Sequence, residues 1–292
     1  MSVVSWTNAA AVESLLTGAA ELMRSSSLRR GCTVALPSRG RILATGDLHD
    51  NPEHFRIVME LAELDGSSDN HVMLHELIHG DRLVNGLDLS YRMLCRVAEA
   101  VCRWPLQVHP VLANHELAQA IGQRVSKGSG DQVAQFDAGL EYVFGDDAEL
   151  IGEAVRDFVM AMPLALRGEH GLCCSHSIPA PRAAVDAEVF SRALDLTDYT
   201  PNLGAAWRMV WGRGLDAAHA QTLAQEWSVK LFVVGHAHVE AGVEARGEHL
   251  LVVNSDHDRG AAVRIDLSEP PPSAGELVNE AIHLGAFRSL HG

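Results

Sequence analysis

Short apolar runs that alternate with amphipathic stretches constrain this chain more than any other feature. "RILATGD", "NHVMLH", "LQVHPVLAN", "PLALRG", "GLCCSHSIP" and "KLFVVG" are brief, largely apolar and bounded by turn residues, the pattern of strands. Between them lie runs with helical spacing: "NPEHFRIVMELAEL", "DLSYRMLCRVAEAVCRW" and "DAAHAQTLAQEWS". Residues 115–161 also read as mainly helical, interrupted by a loop at "SKGSGD". Residues 8–24 predict an opening helix capped by Asn8, and "CTVALP" a strand after it. Pro52 stands early in its helix, where proline is tolerated. Strands and helices in alternation predict a layered α/β fold, with sheets flanked by helices. "GVEAR", "LLVVNS" and "AAVRIDL" follow one another without a helix, which predicts a second sheet or the edge of a mixed one. A short helix is expected after "SEPPPSAG".

Composition narrows the function classes. The 292 residues are 47% apolar, enough for a substantial core. Net charge is −15 with no strong basic cluster, which argues against a nucleic-acid partner. The five cysteines form no CxxC pair, so neither a disulfide framework nor a cysteine zinc site is expected. No stretch approaches ~20 apolar residues, so no membrane partner is expected either, and the expected setting is cytoplasmic.

Ligand-type residues recur at the carboxyl ends of the predicted strands, where open α/β sheets bind ligands. Asp47 and His49 follow one strand, Glu76 a second, Asn114 and His115 a third, His176 a fourth, and His236 with His238 a fifth. Asp47 and His49, at i and i+2, point to one side of an extended backbone and can grip one ion, and His236 and His238 repeat that spacing. All are oxygen or nitrogen donors, and there are more of them than one four-coordinate zinc takes. Two divalent ions with a shared carboxylate fit the set better.

The order "GDLH", "HELIHGD", "ANHE", "SHSIP", "GHAH" resembles the calcineurin-like metallophosphoesterases, in particular the phosphoprotein (serine/threonine) phosphatase type, over roughly residues 41–267. "RDFVMAMPLAL" leading into "GLCCSHSIP" and "MVWGRG" look similar to flanking segments of that family. The resemblance implies a metallophosphoesterase fold and hydrolysis of phosphate esters, in proteins or small molecules such as nucleotides, by a hydroxide held between two metal ions. It implies one ion on Asp47, His49, His238 and Glu76, a second on Glu76, Asn114, His176 and His236, and leaving-group protonation by His115. Mn, Fe, Zn, Co and Ni all suit such ligands, Mn being favoured. Arg82 and Arg213 are the candidate phosphate contacts. The expected organisation is a helical extension over 1–29, a catalytic domain over 30–269 with a mainly helical insertion near 118–161, and a tail over 270–292.

The stretch His75-Glu76-Leu77-Ile78-His79 has a competing reading. On a helix it would form the His-Glu-x-x-His site of a mononuclear zinc peptidase, with Glu99 as the candidate third ligand. In the metallophosphoesterase reading the same stretch sits at a strand end. Glu76 then takes the place of the family's metal-bridging aspartate, His75 that of its glycine, His79 that of its second aspartate and Gly80 that of its arginine. These departures keep a third reading open: a metal- or phosphate-binding protein on the same fold with weakened catalysis.

Overall fold

The computed structural model describes residues 6–124, 126–127 and 130–290. The chain opens with helix α1 (Ala9–Ser25), and the Asn8 side chain accepts from the Ala11 amide as its cap. There follow β1 (Arg29–Arg30), β2 (Thr33–Ala35), β3 (Arg41–Asp47), α2 (Pro52–Ala62), β4 (Asn70–His75), α3 (Tyr91–Arg103) and β5 (Val108–Pro110). Next come α4 (Asn114–Ile121), β6 (Ser126–Lys127), β7 (Gly130–Asp131), α5 (Gln132–Phe144) and α6 (Ala148–Ala161). The second half runs β8 (Ala165–Arg167), β9 (Leu172–Ser175), α7 (Ala205–Val210), α8 (Ala217–Glu226), β10 (Leu231–Val234), β11 (Val243–Ala245), β12 (Leu250–Val253) and β13 (Ala261–Asp266). Helix α9 (Ala274–Asn279) and β14 (Ile282–His283) close it.

Two mixed sheets result, ordered β1-β2-β8-β9-β10-β12-β11 and β14-β13-β3-β4-β5. The turn "SRG" therefore carries the chain from one sheet to the other. The late run of strands is shared out likewise: β11 and β12 join the first sheet, β13 the second. "SKGSGD", expected as a loop, pairs Ser126 with Asp131 and Lys127 with Gly130; a turn-rich segment between polar runs is also a hairpin sequence.

Period-2 alternation explains how the layers hold. Along β10, Leu231 and Val233 enter the core shared with Ile42, Met73, Leu251 and Val263, between the sheets. Their neighbours Phe232 and Val234 face the helices instead. β12 splits the same way, with Leu251 and Val253 inward and Leu250 and Val252 outward. Strands buried on both faces have to read as continuous apolar runs. Strands β3, β4 and β5 are mutually parallel, as are β9, β10 and β12. A parallel bridge from Asp47 to Asn254 joins the two sheets at their carboxyl ends, and that junction is where the candidate residues gather.

One buried polar pair lies away from it. His71 Nδ1 and His109 Nε2 stand 3.1 Å apart on β4 and β5, with stacked rings. Burial pushes His109 down to about 3, with His71 adding to the shift, and burial lowers His71 too. A histidine with a lowered folded-state pKa stays neutral while the unfolded chain takes up a proton below about 6.5. Stability is therefore full above that pH and is lost as pH falls towards 3. His109 alone should remove about 2 kcal/mol between pH 7.5 and pH 5, read from urea unfolding. The double variant His71→Phe/His109→Leu should show a flatter pH dependence, and an equally steep curve would contradict the assignment.

Candidate metal centre

Each ligand-type residue hangs from a strand end or the turn after it. Asp47 ends β3 and Glu76 follows β4. Asn114 and His115 open α4 after β5, His176 follows β9, and His236 and His238 follow β10. Among the described non-glycine residues, nine have positive φ, and five of these are His49, Asp50, Glu76, His79 and His236. Such left-handed backbone is costly and persists where the surrounding structure over-determines it, often at functional sites.

The tightest cluster is Asn114, His176, His236 and Glu76. Asn114 Oδ1 lies 2.7 Å from His176 Nε2 and 2.8 Å from His236 Nδ1, and those two nitrogens are 2.9 Å apart. Glu76 Oε2 is 3.1 Å from His176 Nε2. Burial, reinforced by the histidines around it, holds His176 well below the usual imidazole range. Burial and the Arg213 charge bring His236 down to about 3. Neutral imidazoles offer lone pairs, and an amide oxygen with a 1% exposed carboxylate completes a hard oxygen/nitrogen donor set aimed at one point. The residues present fit a divalent ion.

Beside it, Asp47, His49, Glu76, His115 and His238 line a cavity of about 470 Å³ together with Asn114 and His236. Asp47 Oδ1 accepts from the His236 amide at 2.9 Å. His49 Nδ1 faces the Ile78 carbonyl at 3.1 Å and donates to it. Ligand-capable atoms of His49, Glu76 and His115 lie within 4.8 Å of one another. His176 alone of the predicted ligands sits behind the cavity wall, fully buried.

Of the two candidate arginines, Arg213 lines the cavity; Arg82 is exposed and outside the lining. The same cavity exposes three groups that the sequence did not single out: Trp211, Asn254 and Asp256. Asn254 and Asp256 follow β12, a strand end without a recognisable motif. Trp211 stood inside the quoted "MVWGRG" without a role. His257 Nε2 donates to the Val239 carbonyl, and its ring lies 5.1 Å from that of His238.

The zinc-peptidase alternative is overturned. It requires a helix through residues 75–79, but β4 ends at His75, and Glu76 and His79 have φ of 50° and 60°. The two imidazoles go separate ways: His75 Nε2 to the Thr45 carbonyl at 2.9 Å, His79 Nδ1 to Asp88 Oδ2 at 2.7 Å. The backbone of this turn is held by Glu116, whose Oε1 accepts from the Leu77 and Ile78 amides. His79, in the slot of the family's second aspartate, is itself paired with an anion. Asp88, nine residues on, supplies one, and the His79 ring lies 5.5 Å from that of His115. Gly80 has a steric reason: a Cβ there would meet the His49 carbonyl oxygen at 2.2 Å. An arginine at this position cannot coexist with this turn.

Gly235 is packed in the same way. A Cβ would lie 2.2 Å from Asp47 Oδ1 and 2.4 Å from His75 Cε1. Gly235→Ala should cost about 1–3 kcal/mol of stability by overpacking and weaken metal binding by displacing Asp47. Calorimetry of metal binding and a urea titration check both, and an alanine variant with unchanged metal affinity would contradict the packing.

Comparison with known proteins agrees with this geometry. Residues 40–240 match the calcineurin-like phosphoesterase family. A protein serine/threonine phosphatase from Saccharomyces cerevisiae with similarity to human phosphatase PP5 shares the fold at a TM-score of 0.65 and 13% identity, with 89% of this chain and 83% of that chain covered. A cold-active protein-tyrosine phosphatase of a psychrophilic Shewanella species aligns at a TM-score of 0.52 and 13% identity, covering 85% and 80%. No curated protein matches the chain. No helix among the described residues is long and apolar enough to cross a membrane. The match spans more than half of the chain and all five strand-end clusters, and the chain belongs to the calcineurin-like phosphoesterase family, hydrolases of phosphate esters that work with divalent metal ions.

Proposed function

We propose that the protein hydrolyses phosphomonoesters, on a protein side chain or a small molecule, with two divalent ions bound at the sheet junction. One observation carries the reading. Asn114 Oδ1, His176 Nε2 and His236 Nδ1 meet within 2.9 Å of one another, and a buried Glu76 carboxylate lies 3.1 Å from His176. In this reading Asp47, His49 and His238 would hold one ion and Asn114, His176 and His236 the other, with Glu76 as the ligand shared between them. Manganese is the favoured metal. When bound, such a pair neutralises charge on the phosphoryl oxygens and lowers the pKa of a water between them towards about 7.

The chain's own groups supply the rest. His115 Nε2 lies 3.7 Å from Glu76 Oε1, which supports His115 as the group that gives a proton to the leaving oxygen. Among the described residues Arg213 is the one arginine that lines the cavity, and in this reading it pairs with a phosphoryl oxygen. A single arginine suits one phosphate group better than a polyphosphate. The protein phosphatases that share the fold support a phosphorylated side chain as one candidate substrate.

The test is hydrolysis of an aryl phosphate by metal-stripped protein with and without added Mn²⁺. Activity should appear with the metal and vanish with chelator. Two bound ions without turnover across phosphoprotein, nucleotide and sugar phosphate substrates would favour a metal- or phosphate-binding protein instead.

A further inference from the structure

His75 takes no part in the chemistry above, yet it sits fully buried between the two halves of the site. Its Nε2 lies 2.9 Å from the Thr45 carbonyl and its Nδ1 lies 3.0 Å from His176 Nδ1. We propose that His75 is a positioning residue that fixes His176 in the one tautomer able to bind a metal through Nε2. The proposal rests on His176 being a metal ligand, as inferred above.

Counting protons gives the argument. A carbonyl oxygen only accepts, so His75 Nε2 carries a hydrogen. A neutral imidazole has one N–H, so with Nε2 donating to the Thr45 carbonyl His75 Nδ1 holds a lone pair. Two ring nitrogens 3.0 Å apart in a dry interior need one proton between them, and only His176 Nδ1 can supply it. His176 Nε2 then keeps its lone pair, and it is this atom that faces Asn114, His236 and Glu76. The opposite tautomer would set lone pair against lone pair at the His75 contact and would turn an N–H toward the Asn114 and Glu76 oxygens, where the ion would be held. Metal-bound imidazoles are commonly held through their other nitrogen in this way.

The contact also spans the fold. Thr45 and His75 belong to the five-stranded sheet, whereas His176 follows β9 of the seven-stranded one. Asp47 Oδ1 lies 3.7 Å from Nδ1 of both histidines. His75 therefore couples the side chains offered by one sheet to those offered by the other, from a position where the family resemblance expects glycine.

The test uses the full chain stripped of metal and two variants. His75→Phe fills the space without an acceptor, and His75→Asn restores an acceptor oxygen. In ¹⁵N-histidine NMR of metal-free wild type, His176 should show a protonated Nδ1 and an unprotonated Nε2. His75→Phe should mix or reverse the two forms. Calorimetric titration with Mn²⁺ should show one of two binding events weakened about 10–100-fold in His75→Phe, with His75→Asn partly restored. A wild-type His176 protonated at Nε2 overturns the proposal even if both variants fail to fold. So does a folded His75→Phe that binds two ions as tightly as wild type. Wild-type protein that binds fewer than two ions would instead overturn the dinuclear reading, and the metal-free NMR result would stand apart from it.

Discussion

Asp47→Asn should lower phosphoester hydrolysis by about 10³-fold or more while leaving the chain folded. Asp47 lies at the junction of the sheets, and its Oδ1 accepts from the His236 amide. The asparagine oxygen can keep that hydrogen bond, so a buried N–H is not stranded, which would cost about 1–3 kcal/mol. What the variant loses is the negative charge that, as proposed, holds a cation. Loss of one electrostatic group in a water-excluded site removes about 10²–10³ in rate by itself, and loss of an ion adds to that. Stability separates the two parts. A bound ion at 100 times its Kd adds about 2.7 kcal/mol to folding. Mn²⁺ should therefore raise the melting temperature of wild type by several degrees and that of the variant much less. Unchanged activity in Asp47→Asn would remove this residue from the site.

His115→Asn tests the chemistry rather than the metals. The imidazole faces Glu76 from the first turn of α4, beside the ring of His49 at 5.2 Å. If it protonates the leaving oxygen, the variant should lose about 10²–10⁴-fold in kcat on alkyl phosphates, whose leaving groups need the proton. An aryl phosphate with an acidic phenol needs it less and should lose far less. Metal content and KM should stay near wild type, because His115 is not among the proposed ligands. An equal loss on both substrates, with metal content reduced, would make His115 a ligand instead.

Much of this was legible in the sequence because the motifs sit on strand ends. A two-layered α/β fold forces apolar runs at the strands, and groups just beyond them converge whatever lies between. That is why the sequence alone puts "GDLH", "ANHE" and "GHAH" at strand ends. Three things were not legible. Asn254 and Asp256 reach the cavity because β12 lies beside β10, and pairing across a sheet leaves no mark in local sequence. Asp88 meets His79 because the turn after Glu76 folds back, with Glu116 holding its amides. His75 could be assigned to a slot but not to a task, since its role depends on a carbonyl in one sheet and an imidazole from the other. The double reading of "HELIH" had the same root: it spells a helical zinc site, and only the strand β4 and the left-handed residues after it exclude the helix.

The most direct measurement is X-ray anomalous scattering at the metal edge from crystals grown with Mn²⁺. Two ions about 3.5–4 Å apart, with Glu76 in contact with both and His176 Nε2 on one, is the result the account predicts. A single ion, or a pair that leaves Glu76 untouched, would contradict it.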